Sequence, residues 1–320
     1  MAGATKSSRC RRTKVRSKAH SRSSSPSKGL HTTKKIVEGA TSTAAPTSPG
    51  RSTKLTEVEA TETSGRLKQV VTSAAVSDDE RRRRWYEVGR RVLSRSKTMR
   101  SPNFTLTSKR DLEFMAELYD HYFFAGQCLR LARHHGMQFR WSKRMTSTGG
   151  KTVRTIYQDQ KTQKQSIRYE IVLSATLLFQ TFSDLKRPIR VTGILCTNRL
   201  QAMQRILEHE LIHLVEMLVW EDSCCAAPRF QTIANRLFAH TEHKHDLITQ
   251  RERAAQKFNV RVGSRVAFQH QGATYRGLVN RITRRATVLV SDPGGQLYDD
   301  GHRYRKYYVP VSHLRPAIGA

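Results

Sequence analysis

Leu207-Glu208-His209-Glu210-Leu211-Ile212-His213-Leu214 sets two histidines four residues apart within a leucine-rich run. Asn198, with Gln201 three residues on, has the pattern of a helix cap. Leu207, Leu211, Leu214 and Leu218 then recur at helical spacing, which predicts a buried helix running to about Trp220. His209 and His213 stand at i and i+4, so both imidazoles project from one face and can reach one zinc ion at about 2.0–2.1 Å. Glu210 completes His-Glu-x-x-His and is placed to take a proton from a water that attacks a carbonyl. Five acidic residues lie between Glu208 and Asp222 with no Lys or Arg among them, and a locally negative helix suits a dication. The plainer reading of the same pentapeptide is one turn of an amphipathic helix.

Upstream, Ser108 with Asp111 three residues on resembles a capping box, and Leu112, Met115, Tyr119, Tyr122 and Phe123 follow at helical spacing as far as Gly126. Alternating segments come next: Met137, Phe139 and Trp141; then Lys151–Gln158 after Gly149-Gly150; then Ile167, Tyr169, Ile171 and Leu173. Ser174 can cap a helix over Ala175–Phe182. Helix, short antiparallel sheet and further helices make an α+β domain over 106–248. Beyond Val260, the runs Arg265–Gln269, Thr274–Thr283, Arg285–Val290 and Lys306–Pro310 are short and β-rich, separated by glycine turns. They predict a small all-β barrel of SH3 or Tudor type over 258–316.

The rest of the chain is set by charge. Lys and Arg number 57 against 26 Asp and Glu, a net +31, and only 37% of the residues are hydrophobic. Such an excess points to a polyanionic partner, because neutralising phosphates releases counterions. Nucleic acid is the expected partner, DNA ahead of RNA, held through a basic tail and the C-terminal barrel. Before Glu38 there is no acidic residue, and the segment is rich in Ser, Thr, Lys and Arg. A chain of this kind cannot bury enough surface to offset its entropy, so residues 1–105 read as a disordered basic tail. Arg81–Arg84 form a second basic cluster suited to nuclear import or to phosphate contacts. A nucleus is therefore the expected location, with a mitochondrion the alternative. The longest apolar stretches, Ile171–Phe182 and Leu211–Trp220, fall short of the ~18–20 residues of a membrane span. Five cysteines without a CxxC pair indicate neither a disulfide framework nor a zinc ribbon.

Several of these segments together resemble a known family. Phe123-Phe124-Ala125-Gly126, Trp141-Ser142-Lys143-Arg144-Met145 with Gly149-Gly150, Glu170-Ile171-Val172-Leu173-Ser174 and Leu207–His213 are similar, in order, to the SprT-like metallopeptidase domain of the Spartan type. The resemblance implies a minimal zincin-like fold, one catalytic zinc held in part by His209 and His213, Glu210 as general base, and action on DNA-bound proteins. The 258–316 segment resembles a KOW- or SH3-like barrel.

One family ligand is missing. The third His of the family opens the next helix, and here the matching residues are Ala226-Ala227-Pro228-Arg229-Phe230, with Ala226 at the expected position. A catalytic zinc takes three protein ligands and a water. Cys225, just before a helix N-terminus that favours a thiolate, is the first candidate, with Cys224 beside it. His240 is the rival, followed by His243 and His245, although a helix of roughly 18 Å separates it from that position. A site with no third protein ligand is the remaining alternative. The expected function is thus a zinc metallopeptidase associated with DNA or chromatin, the Ile167–Leu173 strand receiving substrate as an added strand. The alternative is a catalytically inactive nucleic-acid or chromatin-binding protein whose zincin fold is structural. Tyr275, Tyr298, Tyr304, Tyr307 and Tyr308, interleaved with arginines, could form a ligand cage, stack on bases or belong to the barrel core.

Overall fold

The computed structural model describes residues 54–158 and 165–317, together with the backbone of Lys14–Ser17. It is a mixed α+β chain with a separate C-terminal sheet. The helices are α1 (Glu57–Ser73), α2 (Asp78–Arg95), α3 (Lys109–Phe123), α4 (Gln127–His135), α5 (Ala175–Gln180), α6 (Arg199–Val219), α7 (Pro228–Phe238) and α8 (Gln250–Phe258). The first sheet runs β1 (Lys14–Ser17), β3 (Gly150–Gln158), β4 (Gln165–Ser174), β2 (Met137–Ser142), and a two-stranded ribbon joins β5 (Ile189–Val191) to β6 (Ile194–Cys196).

Helix α6 is the axis of the molecule. From Arg199 to Met217 nearly every side chain is buried, as expected of a helix covered on all sides rather than on one stripe. Asn198 caps it, its side chain accepting from the Gln201 N–H. On one side lie β3 and β4, with Tyr169, Ile171 and Leu173 of β4 buried in the same core as Leu207, Leu211 and Leu214. On the others lie α1, α4 and α7. The turn Ala125-Gly126 bends the chain from α3 into α4 with positive φ at both residues (51° and 74°), where glycine is the natural occupant. Gly126 provides no side-chain cap, and Asp120 does so instead, its two carboxylate oxygens accepting from the N–H groups of Cys128 (2.9 Å) and Leu129 (3.1 Å).

Four expectations are corrected. The sheet built from residues 137–174 is mixed rather than antiparallel: β3 runs antiparallel to β4, but β2 runs parallel to it, because β3 reverses the chain between them and β4 returns in the direction of β2. The basic tail does not extend to residue 105: residues 57–95 form two helices, and only the part before residue 54, apart from β1, lies outside the described residues. Thr56 and Glu59 close a capping box, and Leu67, Val71, Val88, Val92, Met99 and Phe104 are buried in the main core. Composition misleads here because α2 carries its few apolar residues on one narrow stripe. Arg81–Arg84 are likewise not a free cluster, since they pair with Asp78, Asp79 and Glu80 one turn away. Arg84 also donates to the Tyr122 carbonyl at 2.6 Å. Finally, β4 cannot receive an added strand, because β3 and β2 occupy its two edges.

The C-terminal sheet is antiparallel, in the order β10 (Arg303–Val309), β9 (Ala286–Leu297), β8 (Ala273–Ile282), β7 (Arg265–His270), β11 (Arg315–Pro316). Its own core holds Val266, Phe268, Val279, Val288 and Val309, with Ala254 of α8. Tyr275 and Tyr307 pack against that core, 5.0 Å apart and each within 6 Å of Phe268, so these two rings are structural. Helix α8 ties the two parts together: Arg253 and Lys257 reach Asp184 at 2.7 and 2.8 Å, and Arg187 pairs with Glu252 at 2.6 Å. The Arg253 and Lys257 donors hold the Asp184 carboxyl well below the usual range. No helix among the described residues is long and apolar enough to cross a membrane.

Candidate metal centre

His209 and His213 meet as their spacing requires: their Nε2 atoms are 3.2 Å apart. Phe230 of α7 packs against both rings, with centroids at 4.9 and 4.6 Å, which fixes the imidazoles from behind. The Cys225 thiol completes a set of three donors that all lie within 4.8 Å of one another. Two imidazole nitrogens on a tetrahedral zinc lie about 3.3 Å apart, and a nitrogen and a sulfur about 3.6 Å. The histidine pair already has that spacing, and closing the set needs a movement of Cys225 of about 1 Å. The donors present therefore fit zinc, with a thiolate as the third.

The other candidates are placed elsewhere. Ala226 is exposed. Cys224 lines the same cavity but is outside the donor set. His240 points away to the opposite side of α6, where its Nε2 meets Glu208 at 2.9 Å. Tyr119 and Arg205 reach that carboxylate too, at 2.6 and 2.8 Å, so His240 belongs to a buried polar cluster rather than to the ligand set. Burial holds the His240 imidazole below its ordinary pKa, against the pull of Glu208, so the ring is neutral at pH 7. His243 and His245 come to the rim of the cavity because residues 241–246 turn back along β5, with Thr192 donating to the Lys244 carbonyl at 2.8 Å. His245 Nε2 accepts the Gly149 N–H at 2.7 Å.

Glu210 faces the same cavity of about 340 Å³, lined also by Ile206, Val191 and the Ser147–Gly150 turn. The Thr152 hydroxyl is 2.8 Å from Glu210 Oε2 and equally close to the Glu210 carbonyl, which ties this carboxylate to β3. Gly150 lies directly over it: a Cβ there would sit 2.6 Å from the Glu210 Cγ and Oε1. Only glycine permits strand and carboxylate to approach so closely.

Beneath His213 runs a chain of hydrogen bonds that no local sequence pattern announces. Ser223 Oγ is 2.6 Å from His213 Nδ1 and 2.6 Å from Glu216 Oε2, and Arg229 Nε donates to the other oxygen of Glu216 at 2.7 Å. An ionised carboxylate only accepts, so Ser223 donates to Glu216 and accepts from His213 Nδ1–H. The proton on Nδ1 leaves the Nε2 lone pair to face His209 and the thiol. That is the tautomer a metal ligand needs, and an oriented partner on the far nitrogen is how such ligands are held. Glu216 and Ser223 are 0% and 5% exposed. Neither a family model, nor a curated protein, nor a solved structure matches the chain.

Proposed function

We propose that this chain is a zinc-dependent peptidase of the SprT-like, zincin type, in which His209, His213 and Cys225 hold the ion and Glu210 is the general base. The observation that carries the reading is the meeting, on one cavity, of a His-His-Cys donor set with a carboxylate held by Thr152 under a glycine. When bound, zinc supplies Lewis-acid polarisation of the attacking water and of the carbonyl. Glu210 takes a proton from that water as its oxygen bonds to the carbonyl carbon, and returns it to the amide nitrogen as the C–N bond breaks. The His213–Ser223–Glu216 chain keeps the imidazole in one orientation and one tautomer. The second reading, a protein with a purely structural ion, draws on Cys225, since thiolates are common in closed structural sites.

The purified full chain, prepared without chelators, is assayed for zinc content, melting temperature and cleavage of casein or of itself, with and without single-stranded DNA. Glu210→Gln keeps the size of the side chain and removes the base. It is expected to retain zinc and melting temperature while turnover falls by ~10²–10⁴. Equal cleavage by the two proteins overturns the peptidase reading and leaves the structural one. A wild type without zinc overturns both.

A further inference from the structure

The pairing of the C-terminal sheet assigns each of its residues to one of two faces. Val266, Val279, Val288 and Tyr307 point inward to the core. Their neighbours point outward and fall into three rows across the strands. Arg315 stands opposite Ala267, and Ala267 opposite Arg276. Arg265 stands opposite Leu278, then Leu289, then Lys306. Arg281 stands opposite Thr287, and Thr287 opposite Tyr308.

These rows contain five cations and no carboxylate, and all five cations are exposed. Strands lie about 4.8 Å apart, so cations at the ends of a row are about 10–14 Å apart. Across rows, Arg265 is the diagonal neighbour of both Arg276 and Arg315, about 7–8 Å away. These cations lie within about one screening length of one another at physiological salt and add to one positive field. No Asp or Glu among the described residues pairs with Arg265, Arg276, Arg281, Arg315 or Lys306. The contrast is with Arg305, whose position one strand step away gives it Asp292 at 2.7 Å. Over 258–316 as a whole there are ten Arg or Lys against three Asp. Leu278 and Leu289 share this face, Leu289 buried beneath its neighbours, so the fold accepts apolar side chains here and does not require a layer of one charge sign; such a layer suits a polyanion. Amid the cations stands Tyr308, 64% exposed and in ring contact with no other aromatic among the described residues.

We propose that this outer face binds single-stranded nucleic acid, Arg265, Arg276, Arg281, Arg315 and Lys306 taking the phosphates and Tyr308 stacking on a base. The choice of an unpaired strand rests on Tyr308, because an exposed ring needs a free base face and a duplex keeps its base faces inside the stack. The proposal is independent of the metal centre and survives or fails without it.

The test uses the full chain, so that the basic N-terminal residues contribute equally to every protein compared. Fluorescence anisotropy against a labelled oligothymidylate and against a duplex of equal length is measured over a salt series. The variant Arg265→Gln/Arg276→Gln/Arg281→Gln/Lys306→Gln is expected to bind the oligothymidylate at least tenfold more weakly. Its slope of log affinity against log salt should flatten by roughly 0.7 for each phosphate no longer neutralised. Arg284→Gln/Arg285→Gln, in the β8–β9 turn, is expected to change that slope by no more than about one phosphate is worth. Tyr308→Ala should cost about tenfold on the single strand and leave the duplex unchanged. Unchanged melting temperatures keep folding out of the comparison. An unaltered slope in the four-site variant, or an equal loss in the turn variant, overturns the face. A Tyr308→Ala protein that binds the single strand as wild type does overturns the single-strand assignment.

Discussion

The Ser223 hydroxyl stands 2.6 Å from Nδ1 of His213, and its own proton is committed to Glu216. His213 is thereby fixed as a donor on one side and a lone pair on the other before any ion arrives. Ser223→Ala removes the acceptor and lets the ring choose either tautomer. Zinc affinity, measured by competition with a chromogenic chelator, is expected to fall about 10–100-fold, the range seen when such outer partners are removed. Glu216→Gln keeps the shape but can present its amide instead of an acceptor, and should fall in the same direction. If both variants hold zinc as tightly as wild type, the chain of hydrogen bonds serves packing alone.

The helices before residue 106 are expected to be part of the folded unit rather than an appendage. Leu67 of α1 is fully buried in the core that holds α6, and Gly89 of α2 approaches Leu200 and Gln204 so closely that a Cβ would lie 3.3 Å from each. Leu67→Ala should therefore cost about 2–5 kcal/mol in denaturant unfolding, as a buried leucine does. A fragment beginning at residue 106 should melt lower than one beginning at residue 54. A fragment of unchanged stability would return α1 and α2 to the tail.

How far the sequence reaches depends on where the signal is local. His209, Glu210 and His213 are legible because one turn of helix carries the whole pattern. The strands at 137–142, 150–158 and 165–174 are legible from alternation, and the C-terminal strands from their glycine turns. Cys225 is reached only because Ala226 has no ligating atom. Thr152 leaves no trace because its partner Glu210 is 58 residues away. Ser223 and Glu216 lie close to His213 in sequence, but the turn after α6 that folds Ser223 back beneath it carries no recognisable pattern. Helices α1 and α2 are hidden for the opposite reason. Their many charges satisfy one another at i+3 and i+4, which average composition counts as disorder.

Acid should loosen the domain through His240. Burial holds this imidazole below its ordinary value of 6.5, with Glu208 opposing and Arg205 assisting the shift. The folded state therefore takes up a proton less readily than the unfolded chain. Stability is fully present above about 6.5 and declines as pH falls below it, towards the lower folded value, where the decline ends. His240→Asn should flatten the fall in melting temperature between about pH 7 and pH 5 while costing some stability at pH 7. Zinc content at pH 7 should not change, because His240 lies outside the donor set. An equally steep decline in His240→Asn would move the acid sensitivity to other groups, His245 first, whose burial lowers it in the same way.

Cys225 decides the character of the centre. A thiolate among the ligands adds negative charge to the ion, so the site should be less electrophilic than one built from three neutral imidazoles. Cobalt substituted for zinc would report this directly, since a thiolate bound to cobalt(II) gives an intense near-ultraviolet charge-transfer band and imidazoles alone do not. Wild type is expected to have that band and Cys224→Ala to keep it, because Cys224 stands outside the three converging donors. Cys225→Ala should lose the band and bind zinc substoichiometrically, with a lower melting temperature, as binding free energy is also folding free energy here. Cys225→His restores a neutral third donor at the same backbone position. It should recover zinc without the band, and with peptidase turnover above that of Cys225→Ala. A band that persists in Cys225→Ala and disappears in Cys224→Ala would exchange the roles of the two cysteines. The loss of zinc in neither variant would leave His209 and His213 as a two-residue site.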